Sequence, residues 1–126
     1  MKRQELIKLI DSMELDKEEF VVLSSGALVL RGIMDNANDL DIAVTSKGLK
    51  YLKNKYNLIK KDNEWYKVTD DIECVLDNME TKKELLSNYY VQDINDYLEY
   101  LKGSNREKDK LRMTKVENYI LKNNVK

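Results

Sequence analysis

The chain has 126 residues, a length that suits one domain, with 22 Lys and Arg against 23 Asp and Glu. That balance excludes a protein that coats nucleic acid or a membrane surface by net charge alone. The absence of histidine excludes Ser–His and Cys–His nucleophilic pairs and histidine zinc sites, and the lone Cys74 excludes an internal disulfide and cysteine-ligated zinc.

Leu6, Ile7, Leu9, Ile10 and Met13 recur at helical spacing and predict a first helix over residues 3–13. Charges interrupt this segment, and no apolar run approaches the roughly 20 residues of a membrane span, so the expectation is a cytosolic protein without signal peptide or membrane anchor. A charged connector over 15–19 leads to Phe20-Val-Val-Leu23, a short apolar run that suits a buried strand. Ser24, Ser25 and Gly26 end that strand. Residues 27–34 are apolar almost all round and predict a buried helix beginning at Gly26, where free backbone N–H groups and the helix dipole favour an anion.

Asp35-Asn-Ala-Asn38 is turn chemistry. Leu40, Ile42 and Val44 then alternate with Asp39, Asp41 and Ala43, which is strand periodicity. Ser46 is expected to cap a helix over about 47–56. Short strands over 57–60, 65–68 and 72–76, with turns between, predict an antiparallel meander at a sheet edge. From Met79 onward the expectation is helical. Thr81 caps a short helix through Leu86, a second carries Ile94, Tyr97, Leu98 and Leu101 and ends at Gly103, and a last begins at Ser104 or Asn105. The order predicts an α/β or α+β fold: a mixed β-sheet with flanking helices and a C-terminal helical segment, in one domain with a core at about 15–78 and C-terminal helices at about 79–122.

The chemistry concentrates in the acidic strand. Asp39 and Asp41 are two residues apart, so on a strand their carboxylates share a face with Cα atoms about 7 Å apart. Side chains at that spacing can converge on metal ions, and carboxylate ligands favour magnesium or manganese. A third carboxylate is sought on a neighbouring strand. Glu73 lies between apolar neighbours in its strand and needs a partner there, because uncompensated burial of charge is expensive; Asp77, at the strand end, is the second choice. Alone, each of these has a plainer reading: Asp-x-Asp and Glu73 as solvated strand faces, Ser-Ser-Gly as an ordinary turn. Their order along the chain is what a phosphate-and-metal site requires.

The stretch resembles the nucleotidyltransferase fold of the polymerase-beta type. That superfamily ends an apolar strand in Gly-Gly or Gly-Ser, places an Asp-hydrophobic-Asp strand roughly a dozen residues later, and adds a third carboxylate on a later strand. Ser25-Gly26 matches the glycine element, Asp39 and Asp41 the pair, and Glu73 the third acid. The tail resembles the small bacterial nucleotidyltransferases of the abortive-infection toxin type, whose Arg-x-Lys-Asp element is matched by Arg106, Lys108 and Asp109. The glycine element departs from the pattern, since Ser25 brings a Cβ to the first position.

The resemblance implies transfer of a nucleoside monophosphate from an NTP to an acceptor hydroxyl of RNA (tRNA among them), protein or a small molecule. It implies Mg²⁺ or Mn²⁺ held by Asp39, Asp41 and Glu73, phosphates held at Ser25 and Gly26, and phosphate charge met by Arg106 and Lys108. A toxin with a cognate antitoxin is one role it suggests. The rivals are a non-catalytic binding or regulatory relative of the same fold, and a helical interaction protein whose acids are merely surface. Trp65, Tyr66 and the tyrosines of the C-terminal third read as packing aromatics, and the lysines at 50, 53, 55, 60 and 61 as a solvated face.

Overall fold

A computed structural model describes residues 1–61, 63–77 and 81–123. Helix α1 (Arg3–Met13) buries Leu6, Ile10 and Met13, as its spacing predicts, and stops where Glu14 turns left-handed at φ 54. A 3-10 turn (Lys17–Glu19) leads into β1 (Phe20–Val22), which is followed by α2 (Ser24–Leu30) and β2 (Leu40–Val44). Next come α3 (Ser46–Lys55) and the strands β3 (Ile59–Lys60), β4 (Trp65–Lys67) and β5 (Ile72–Leu76). The hairpin β6 (Lys83–Leu86) and β7 (Tyr89–Gln92) precedes helices α4 (Ile94–Lys102) and α5 (Glu107–Asn123).

Among the described residues these strands make one mixed sheet in the order β3-β4-β5-β2-β1-β7-β6. β2 runs antiparallel to β1 and parallel to β5, and β1 runs parallel to β7. The meander β3-β4-β5 forms one edge, as expected. The central strands are buried as near-continuous apolar runs, with Val22, Leu40, Ile42 and Cys74 wholly enclosed. Helix α2 is apolar almost all round because it is covered on two sides. Ala27, Val29 and Leu30 join the sheet's core cluster, while Leu28 joins Ile94, Tyr97, Leu101 and Val116 of α4 and α5.

Three sequence expectations are corrected. Residues 83–92 are a hairpin, not a helix running to Leu86; Met79 lies outside the described residues. The register pairs Leu86 with Tyr89 across a two-residue turn in which Ser87 takes φ 58. Tyr89, Tyr90 and Val91 favour a pleated surface, and Val91 is fully buried opposite Val22, so sheet pairing overrides the helical preference of Lys83-Glu-Leu-Leu86. Arg31, just past α2, ties this hairpin down: its buried guanidinium donates to the Gln92 carbonyl at 3.1 Å and pairs with Glu84.

Second, α3 is capped by Thr45, not Ser46; the Thr45 hydroxyl accepts from the Gly48 N–H at 3.0 Å and donates to Glu19 at 2.7 Å. Third, α5 starts at Glu107 rather than Ser104 or Asn105. The Ser104 hydroxyl instead accepts from the Arg106 N–H at 3.3 Å and donates to Asp109 at 2.7 Å, which holds the chain in a turn before the helix.

Candidate functional site

The site is assembled where strand ends meet. Because β1 and β2 are antiparallel, the exit of β1 lies beside the start of β2, and the Leu23 N–H donates to the Asp41 carbonyl at 2.9 Å. Because β2 and β5 are parallel and in register, Asp41 stands directly beside Glu73, with adjacent strands about 4.8 Å apart. Asp39 precedes β2 by one residue. The turn after β1, both aspartates and Glu73 therefore occupy one end of the sheet.

Helix α2 begins at Ser24, two residues before the Gly26 start read from sequence. Ser24 itself takes the left-handed conformation, φ 50, at the strand-to-helix turn. The position that calls for glycine is thus Ser24, and the serine pair at the turn is Ser24-Ser25. The Ser24 N–H is held by the Gln92 side-chain carbonyl at 3.2 Å. Gly26 is buried inside the first helical turn and does not line the cleft. A Cβ there would meet Val22 Cγ1 at 3.1 Å, so its small size serves close contact between α2 and β1.

Ser24, Ser25, Asn38, Asp39 and Asp41 line one side of a cleft of about 330 Å³. Trp65 of β4, with Tyr100, Arg106, Lys108 and Arg112 of the C-terminal segment, complete the lining of the same cleft. A smaller adjoining cleft of about 160 Å³ is lined by Asp41, Lys61, Asn63, Trp65 and Glu73. Asp41 and Trp65 belong to both. The structure therefore brings Asp39, Asp41, Ser25, Arg106 and Lys108 to one cleft and Glu73 to its neighbour. Asp77 lies past the far end of β5, where its carboxylate accepts from the Thr81 N–H at 3.1 Å and its own N–H donates to Val44.

Asp41 carries an unfavourable electrostatic load in this cleft. Burial, then the neighbouring charges of Asp39 and Glu73, push its carboxyl up from 3.8 to about 6, against the opposing pull of Lys61 and Arg112. Lys61 Nζ lies 2.7 Å from Glu73 Oε2, and that hydrogen bond lifts the ammonium above its ordinary value.

The basic wall is built on a buried carboxylate. Asp109 is fully enclosed, and its Oδ2 accepts from Ser104 Oγ and Arg106 Nε, each at 2.7 Å. Its Oδ1 accepts no hydrogen bond and lies 3.9 Å from Arg112 Nη1. Burial works against the Asp109 charge, but the bonds from Ser104 and Arg106 and the two guanidinium charges outweigh it and hold its carboxyl below the usual range. Arg106 also donates to Tyr100 and Arg112 to Tyr97, each at 3.4 Å, and the two tyrosine rings stack at 5.8 Å. These tyrosines, read from sequence as packing residues, steady the arginines.

Arg112, Lys61 and Gln92 are site residues that the sequence reading missed. Arg112 had a signal, standing one helical turn after Asp109. Lys61 was submerged in a run of lysines, and Gln92 reaches Ser24 only through the β1–β7 pairing.

Carboxylate oxygens are hard ligands, and magnesium is commonly held by one or two carboxylates together with substrate phosphates. Asp39 and Asp41 fit that donor set: Asp39 crowds the charge on Asp41, and a cation beside the pair would relieve that crowding. Among the described residues, no three His, Cys, Asp or Glu side chains form a group able to hold a metal ion. Among the described residues, too, no helix is long and apolar enough to cross a membrane. No protein-family model and no curated protein matches the chain.

Proposed function

We propose that this chain is a metal-dependent nucleotidyltransferase of the polymerase-beta fold type, which moves a nucleoside monophosphate from an NTP to an acceptor hydroxyl. One observation carries the reading: the paired acids Asp39 and Asp41 share a single cleft with the cations Arg106, Lys108 and Arg112 and with the serine turn. A triphosphate with a divalent cation needs both signs of charge in that proximity. When bound, Mg²⁺ would offset phosphate charge and acidify the acceptor hydroxyl.

The chain's own residues divide the remaining work. Asp39 and Asp41 hold the cation. Arg106, Lys108 and Arg112 bind phosphate oxygens, and Asp109 holds Arg106 in place without itself reaching the cleft. Ser24 and Ser25 offer hydroxyls at the turn. Trp65 and Tyr100 flank the cleft and present aromatic surface to a base.

Incubation with each labelled NTP, Mg²⁺ or Mn²⁺, and total tRNA or cell lysate should transfer label, and Asp41→Asn should abolish the transfer while the protein stays folded. Transfer at the wild-type rate by that variant would refute the mechanism. A second reading, a non-catalytic binding module of the same fold, draws on the Lys61–Glu73 ion pair, which engages the third acid. It predicts NTP binding without label transfer to any acceptor.

A further inference from the structure

Glu73 has a choice of lysines, and the choice made is informative. Lys67 stands directly opposite it on β4, yet Lys67 Nζ turns to Asp70 at 3.2 Å. The cation that reaches Glu73 is Lys61, at the tip of the β3–β4 hairpin, whose backbone N–H is fixed to the Trp65 carbonyl at 2.7 Å. Lys61, Glu73 and Asp41 line the same small cleft. A simple surface ion pair would leave binding in that cleft unaffected, since such pairs contribute little. This pair sits at the place where a second cation would have to bridge Asp41 and Glu73.

We infer that Lys61 is the resident second cation of this site: its ammonium occupies Glu73, so the chain takes one divalent ion, at Asp39 and Asp41, and Lys61 supplies the positive charge beside it. The inference rests on the metal-dependent reading above. Charge and geometry both favour it. A second divalent ion would have to displace the ammonium from Glu73 Oε2 and then lie beside it, which like-charge repulsion opposes. The magnesium preference for few carboxylates plus substrate oxygens is met by the two aspartates alone.

Mn²⁺ binding to the nucleotide-free protein, followed by electron paramagnetic resonance of the free ion, tests this without reference to turnover. Wild type should bind one Mn²⁺. Lys61→Met should bind a second, at least ~tenfold tighter than any second ion on wild type, because both the competitor and the repelling charge are gone. Lys61→Arg keeps the charge and should bind one. Thermal melting of each variant checks that it is folded. Two comparable ions on wild type, or a single ion on Lys61→Met, would overturn the inference while leaving the nucleotidyltransferase reading standing. No bound Mn²⁺ on any of the three nucleotide-free proteins would overturn the inference, and no bound Mn²⁺ when NTP is added as well would overturn the nucleotidyltransferase reading too.

Discussion

Replacing Asp41 by Asn should make the metal-free protein more stable at neutral pH. In the folded chain the Asp41 carboxyl is pushed up from 3.8 to about 6, first by burial and then by Asp39 and Glu73. A carboxyl raised on folding contributes stability that is full below its unfolded value and lost as pH rises through its folded value. Two units correspond to about 3 kcal/mol at most. Asp41 is half-buried and its cleft opens to water, so screening reduces this to about 1–2 kcal/mol. Asn matches Asp in shape but carries no charge. The difference between Asp41→Asn and wild type should therefore be about 1–2 kcal/mol in favour of the variant at pH 7.5, shrinking towards zero below pH 4. Urea unfolding of both proteins from pH 3.5 to 7.5 measures it, and taking the difference cancels the opposite dependence contributed by Asp109. Added Mg²⁺ should narrow the gap at pH 7.5 by stabilising wild type alone. A variant less stable than wild type at pH 7.5, or a difference that does not change with pH, would show that the three acids do not crowd one another.

Ser24 holds φ 50 at the strand-to-helix turn, a left-handed conformation that costs a non-glycine residue about 1–2 kcal/mol. Ser24→Gly should therefore raise the unfolding midpoint in urea, with the gain reduced by glycine's extra freedom in the unfolded chain. Gly48 lies in the first turn of α3, where a Cβ would meet the Glu19 carbonyl oxygen at 2.8 Å. Gly48→Ala should lower stability by about 1–3 kcal/mol despite alanine's better helix propensity, because a backbone atom cannot step aside as a side chain would. Equilibrium urea unfolding reads both substitutions.

What was legible in the sequence is what local periodicity controls. The stripe of α1 and the alternation in β2 fixed those elements, and Asp39 and Asp41 marked the end of the sheet where the larger cleft lies. The β6–β7 hairpin was not legible, because Lys83-Glu-Leu-Leu86 suits either a helix or a strand and only its long-range place beside β1 decides. The turn departs by two residues from the sequence expectation, for a related reason. Gly26 looks like the residue that needs freedom, yet it is glycine because Val22 lies 3.1 Å from its missing Cβ, while the strained position is filled by a serine. The basic wall was half visible. Arg106 and Lys108 could be picked out by motif, and Arg112, one helical turn on along α5, is drawn in by helical spacing and held by Tyr97 of α4.

The arrangement of charge across the larger cleft carries a directional consequence. Three cations from the C-terminal segment, Arg106, Lys108 and Arg112, share this cleft with two anions at the start of β2, Asp39 and Asp41. In the smaller cleft Lys61 is engaged by Glu73. A free phosphate chain is attracted to the helical wall and repelled by the sheet end, and a free divalent cation experiences the reverse. A ligand that unites the two is therefore bound in one orientation, its phosphate tail on α5 and its cation-bearing end on β2. Reversing it would place phosphate against two carboxylates and the cation against three basic side chains, a mismatch of like charges that costs several kcal/mol in a partly enclosed cleft. Under the proposed nucleotidyl-transfer reading, that orientation would set the phosphate nearest the cation at Asp39 and Asp41, beside the small cleft lined by Glu73 and Lys61.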